Sequence, residues 1–241
     1  MTQIKQIKLE QEETLVDVKS KLTEITIIKE HLKTKIKFKP YFSIDTNSFG
    51  HLELNEYLSN DPFQSQILNR KQANDLIRLC EFSQNSKFIL IYKGSRDGFD
   101  AKDFHSKCDG VPSTLTILQA KESQFIFGGY TEAPWESGRG RYKSDPKAFL
   151  FSLTNKDNGP MKMKTNDAAT SIYCSLWVGP TFGAGAEICI RDNANMTKEN
   201  FSKLGPTYSH PLYTSESKEA NAFLAGAEQF QLNEIEVYKK L

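Results

Sequence analysis

Apolar residues in the first part of the chain recur at Ile4, Ile7, Leu15, Val18, Leu22, Ile25, Ile28, Leu32 and Ile36. Steps of three and four with polar residues between them, and no Pro or Gly, predict an amphipathic helix over residues 1–39. Leu15, Val18, Leu22 and Ile25 keep a heptad seam until Lys29 breaks it, so self-association and packing against the rest of the chain both stay open. Pro40 ends the helix, because the residue before a proline is pushed out of the α region. Residues 40–60 carry no sustained period and read as a connector. From Asp61-Pro62 onward, Phe63, Ile67, Leu68, Leu76, Ile77 and Leu79 predict a helix or a helix pair.

The period then changes to that of strands. Phe88–Tyr92, Thr114–Leu118, Gln124–Tyr130, Ala148–Leu153, Ser171–Trp177 and Glu187–Arg191 are short apolar or alternating runs. The polar link Lys121-Glu-Ser123 predicts a hairpin between the second and third. In the last run, Gln229–Tyr238, alternation passes from Phe230 and Leu232 to Ile235 and Val237 with a one-residue slip, the mark of a β-bulge. Helical patterns are few in between, at Asp100–Cys108 and at Lys198–Leu204. The expected class is therefore α+β, mainly antiparallel β with helices at its periphery, preceded by the amphipathic helix.

Composition supports a real core and narrows the partners. Of 241 residues, 38% are hydrophobic, and 16 Phe and 9 Tyr supply bulk. Thirty-one basic residues against 30 acidic ones argue against a nucleic-acid binder as a whole. The lysines Lys29, Lys33, Lys35, Lys37 and Lys39 crowd the end of the first helix, where they complement its dipole or form a patch for lipid or nucleic acid. No apolar signal segment opens the chain, no run reaches membrane-spanning length, and the four cysteines form no Cys-x-x-Cys pair. The expectation is a cytoplasmic protein with reduced thiols, in which the acceptor patterns at Asn195 and Asn200 carry no glycan.

Few residues offer chemistry. Gly94-Ser95-Arg96-Asp97-Gly98 stands between a strand and a helix, where phosphate loops sit, but it meets neither nucleotide fingerprint. It is a tight turn leading to an N-cap at Asp100, or an anion site built from Arg96 and free amides. His105 and Cys108 lie three apart on the following helix, as they would on any amphipathic helix, as a ligand pair or as a thiol with its base. Two ligands do not make a zinc site, and no second pair has ligand spacing. Gly183 and its neighbours before Glu187 read as a turn needing positive φ. No Gly-x-Ser-x-Gly elbow and no EF-hand loop is present. Nothing here demands catalysis, a metal or a cofactor.

Several stretches join into one pattern: Phe88 to Phe99 with its Gly94–Gly98 centre, Phe104-His105, and Ser113 to Ile117. Phe127-Gly128-Gly129-Tyr130 with Trp135, Ala148 to Leu153, and Phe182-Gly183 before Glu187 follow. Phe223 to Gly226 and Phe230 to Tyr238 close it. In order and spacing this resembles the TLDc domain, over residues 61–241. The resemblance implies a sandwich of two antiparallel sheets with helices around it. It also implies protection against oxidative stress and, through some members, binding to the vacuolar proton-pumping ATPase, without an accepted catalytic mechanism. The matching residues Gly94, Ser95, Arg96, Asp97, Gly98, Phe99, Gly128, Gly129, Trp135, Gly183, Glu187 and Gly226 are then mainly fold-keeping, with Gly128 and Gly129 at a bend and Phe149 and Phe151 inward on a strand.

The functional expectation is a non-catalytic binding or regulatory module. Its rivals are a coiled-coil scaffold dimerised through residues 1–39 with a passive TLDc domain, and a weak antioxidant acting through Cys108.

Overall fold

A computed structural model describes residues 62–241; the amphipathic helix over 1–39 and the connector 40–60 lie outside the described residues. The elements run α1 (Arg70–Leu79), β1 (Phe88–Lys93), α2 (Gly94–Asp97), α3 (Ala101–Cys108), β2 (Thr114–Ala120), β3 (Ile126–Thr131) and β4 (Arg141–Lys143). Then come β5 (Phe149–Ser152), β6 (Met161–Lys164), a 3₁₀ turn at Ala168–Thr170, β7 (Ile172–Cys174), β8 (Thr181–Phe182) and β9 (Ile188–Cys189). The chain finishes with β10 (Asn200–Ser202), α4 (Lys218–Asn221), β11 (Gln229–Phe230) and β12 (Leu232–Lys240).

The strands form two six-stranded sheets, in the orders β1-β12-β2-β3-β5-β6 and β11-β10-β9-β8-β7-β4. Every pairing is antiparallel. The sheets meet over a core that joins Leu118, Phe127, Leu150 and Met163 of the first to Ile172, Cys174, Phe182 and Ile188 of the second. This is the expected β-sandwich.

The first sheet is buried on both faces. Successive side chains of a strand point to opposite sides, so Leu118 and Phe127 enter the sandwich while Leu115, Ile117, Ile126 and Tyr130 pack under α1. Phe149 and Phe151 point inward too, but into this second core beneath α1, not between the sheets. The α1 helix starts later than its apolar pattern implied. Its N-cap is Asn69, whose side chain takes the Gln72 N–H while the Gln72 side chain takes the Asn69 N–H, both at 3.0 Å. Phe63, Ile67 and Leu68 are buried without being helical. Their segment is fixed instead by Glu236, which accepts Ser65 Oγ at 2.5 Å and Gln66 N–H at 2.9 Å.

The expected hairpin joins β2 to β3, with Gln124 and Phe125 belonging to its turn rather than to the strand. The expected bulge is present: the β12–β2 register jumps between Leu232 and Glu234. The helix expected at Lys198–Leu204 is instead strand β10. Asn200 explains the outcome, because its amide donates to the Ala194 and Phe230 carbonyls at 2.9 and 2.8 Å and so holds the segment between β9 and β11. The strand expected over Ser171–Trp177 ends at Cys174 and gives way to a turn.

Candidate functional site

The family-pattern residues gather at several places, and at each one their polar groups are occupied from within. Gly94–Asp97 is a single helical turn closed by Gly98 N–H on the Gly94 carbonyl at 2.9 Å. A Cβ on Gly94 would run into the Phe99 ring and lie 2.8 Å from Ile235, and Gly98 has φ 109°, so both glycines are required. The amides that might have faced an anion face carboxylates: Lys93 N–H donates to Asp97 at 2.9 Å and Ser95 N–H to Glu234 at 3.1 Å. Arg96 is bidentate on Asp97, at 3.0 and 2.7 Å, and its hydrogen bonds hold the Asp97 carboxyl below its usual value. The turn is therefore closed on itself and leads into α3, where Asp103 takes the Asp100 N–H at 3.1 Å.

Gly128 and Gly129 do not mark a bend. Both lie in β3, where a Cβ on Gly128 would run into the Thr116 carbonyl of β2 and come within 2.9 Å of Phe151, and one on Gly129 within 2.6 Å of Phe182. The pair leaves room for one aromatic ring on each face of the sheet. Trp135 is 1% exposed, donates Nε1–H to Thr114 Oγ1 at 2.9 Å, and meets Phe104 and Phe182 edge to face. Gly226, at φ 83°, closes against Ser123, whose hydroxyl donates to the Ala225 carbonyl at 2.8 Å.

Glu187 is fully buried. Its carboxylate accepts N–H groups from Gly185 at 3.0 Å, Thr207 at 2.9 Å and Tyr208 at 3.3 Å, so one side chain ties two loops together. Burial pushes its pKa up against those bonds. Gly183, at φ 79°, has no room for a side chain, since a Cβ would sit 2.6 Å from the Glu187 carboxyl carbon.

His105 and Cys108 do not form a pair for chemistry. His105 Nδ1 lies 2.7 Å from Asp109, and its Nε2 faces the carbonyls of Ser175 and Val178 at 2.9 and 3.0 Å. A nitrogen between two carbonyls is a donor and has no lone pair to offer a thiol. Cys108 has no exposed surface, and burial drives its thiol well above the ordinary value. Cys174 and Cys189 are raised for the same reason, and Cys80 is pushed up to about 12. Among the described residues no group of three or more His, Cys, Asp or Glu is placed to hold a metal.

Sequence reasoning missed a surface cleft of about 420 Å³. Phe82, Tyr130 and Phe149 line it, with Tyr130 stacked on Phe149 at 5.3 Å and edge-on to Phe82 at 5.2 Å. Lys147, Lys162, Lys164 and Lys240 surround it. Lys162 is spent on Glu81 at 2.7 Å and Lys147 on Glu132 at 3.0 Å. Lys164 and Lys240 make no ion pair among the described residues, which leaves the rim positive. The alternation Met161-Lys-Met-Lys164 at a sheet edge was the available signal: it puts both lysines on the Phe149 face and Met163 in the sandwich.

No helix among the described residues is long and apolar enough to cross a membrane. No curated protein matches the chain. The family model of the TLDc domain matches residues 62–240, about three quarters of the sequence. With its two antiparallel sheets and its closed glycine turns, this chain belongs to the TLDc domain family.

Proposed function

We propose that this chain is a non-catalytic binding module that contributes to oxidative-stress protection by docking on the vacuolar proton-pumping ATPase. The observation that carries the reading is the cleft of Phe82, Tyr130 and Phe149 under Lys164 and Lys240. Aromatic side chains beside unpaired cations are the surface a protein partner with an acidic, aromatic-containing segment recognises. The family-pattern residues support it indirectly, because Asp97, Arg96 and Glu187 are engaged in internal hydrogen bonds and serve to hold the frame.

The antioxidant reading has less behind it. A scavenging thiol needs thiolate character and access, and Cys108 has a raised pKa and no exposed surface. The scaffold reading rests on residues 1–39, where the heptad seam is its only support.

Pull-down of pump subunits from lysate at low salt with the immobilised full chain tests the proposal. Subunits retained by the natural chain and lost by Lys164→Glu with Lys240→Glu are expected. Repeated absence of the subunits sinks the pump, and equal retention by the charge-reversed chain sinks the cleft.

A further inference from the structure

Ser175–Val178 is a β-turn closed by the Val178 N–H on the Ser175 carbonyl at 3.2 Å. Leu176 and Trp177 occupy its two corners, 38% and 69% exposed. Contiguous exposed apolar surface is where proteins meet partners or membranes, and here two large apolar side chains stand side by side at a solvent-facing tip. The N–H groups beneath them are directed at partners within the protein. Leu176 N–H donates to the Gly138 carbonyl at 3.0 Å, and Trp177 N–H faces Ser175 Oγ at 3.4 Å. From the core side, His105 Nε2 reaches the carbonyls of both Ser175 and Val178. Asp109 braces the ring and also accepts Ser137 N–H and Oγ–H at 2.7 and 2.6 Å, which fixes the neighbouring loop.

The N–H groups of Leu176, Trp177 and Val178 thus have partners inside the protein, as do the first and last carbonyls of the turn. Satisfied N–H groups lower the cost of moving a peptide segment out of water, and the carbonyls of Leu176 and Trp177 are the groups left for headgroups and interfacial water. Cations stand beside it. Gly138 is followed by Arg139, which is exposed and makes no ion pair among the described residues. Arg141 and Lys143 further along share the single carboxylate of Glu136. Against Arg139, Arg141 and Lys143 stand Glu136 and the Asp109 carboxylate bound to Ser137, so the loop next to the tip keeps a small positive excess, carried by Arg139.

We propose that the Leu176–Trp177 turn is an interfacial anchor for an anionic lipid surface. The two side chains enter the boundary between headgroups and acyl chains, and Arg139, which makes no ion pair among the described residues, meets a lipid phosphate. A protein pocket also receives tryptophan. However, two side chains on a convex tip contribute little of the roughly 1,200 Å² or more that a specific protein interface buries. A rigid apolar tip with a basic flank meets the requirements of shallow, reversible attachment to a bilayer.

The chain has two tryptophans, and they divide the signal cleanly: Trp135 is 1% exposed and Trp177 is 69% exposed. A change in emission on adding vesicles is therefore the response of Trp177, even where another segment also touches lipid. The test titrates the full chain with vesicles of mixed phosphatidylcholine and phosphatidylserine and records Trp emission and quenching by brominated acyl chains. A blue shift with quenching is expected. Leu176→Ser should lower the partition coefficient roughly tenfold, and Arg139→Glu should lower it by about fivefold or more.

Absence of association overturns the proposal. So does co-sedimentation without blue shift or quenching, which would show that a different surface holds the lipid. A blue shift produced by the pump subunits but never by vesicles assigns the tip to a protein interface instead, and equally overturns it.

Discussion

Gly129→Ala places a methyl group where β3 of one sheet meets Phe182 of the other. Its Cβ would lie 2.6 Å from Phe182 Cζ, 2.7 Å from Cε1 and 2.9 Å from Leu150 Cδ2. Carbon atoms rest at about 3.5–4.0 Å, so one partner must retreat by nearly an ångström. Phe182 has no exposed surface and is pinned edge-on by Trp135 at 5.4 Å, and Leu150 is fully buried too. Overpacking of this kind costs about 1–3 kcal/mol, and the lack of any free direction puts this case near 2–3 kcal/mol, or about 4–10 °C in Tm for a domain of this size. Urea unfolding of the full chain, followed by far-ultraviolet circular dichroism, measures it. The double variant Gly129→Ala with Phe182→Leu removes the ring atoms that clash, so the second substitution should cost at least about 1 kcal/mol less in the alanine background than alone. A single-variant effect inside about 0.5 kcal/mol, or strictly additive substitutions, would refute the reasoning.

Other predictions address polar and titratable groups. Glu187→Ala removes the acceptor of two buried N–H groups and one half-buried one and should cost about 3 kcal/mol in urea unfolding; a loss under about 1 kcal/mol would mean that the loops hold without it. His210 is buried and accepts the Leu212 and Tyr213 N–H groups at Nδ1, both at 3.1 Å, and burial lowers its pKa from the ordinary 6.5. The unfolded ring therefore binds its proton at higher pH than the folded one, so this contribution to stability is complete above pH 6.5 and shrinks as the pH falls below it. His210→Gln should flatten that part of the stability–pH curve, and an unchanged slope would count against the assignment. All four cysteines are buried with raised pKa values, so the folded chain should react with a thiol reagent only on unfolding; stoichiometric labelling within minutes would reopen the antioxidant reading.

The sequence was most legible where local chemistry and global fold agree. Asp100 and the helical pattern that runs from it to Cys108 mark α3, the polar link at 121–123 marks a hairpin, and the slip between Leu232 and Ile235 marks a bulge. It misled where a distant partner decides the backbone. Lys198–Leu204 has helical spacing, yet the Asn200 side chain and pairing with β9 and β11 make it a strand. Leu176 and Trp177 continue the apolar run of β7, but His105, about 70 residues earlier, takes the carbonyls that turn the chain outward. Gly128 and Gly129 read as a bend because the rings that demand their missing side chains, Phe151 and Phe182, come from other strands. The cleft was invisible for the same reason: pairing of β3 with β5 joins Tyr130 to Phe149, while Lys240 arrives from β12 through β2, and Phe82 from the chain that follows α1.

Titration of the purified cytosolic sector of the proton pump with the full chain, as a function of salt, tests the binding account most directly. The account predicts saturable binding that weakens with ionic strength and falls about tenfold or more when Lys164 and Lys240 are both replaced by Glu. Binding that ignores both salt and the charge reversal, or no binding at low salt, would contradict it.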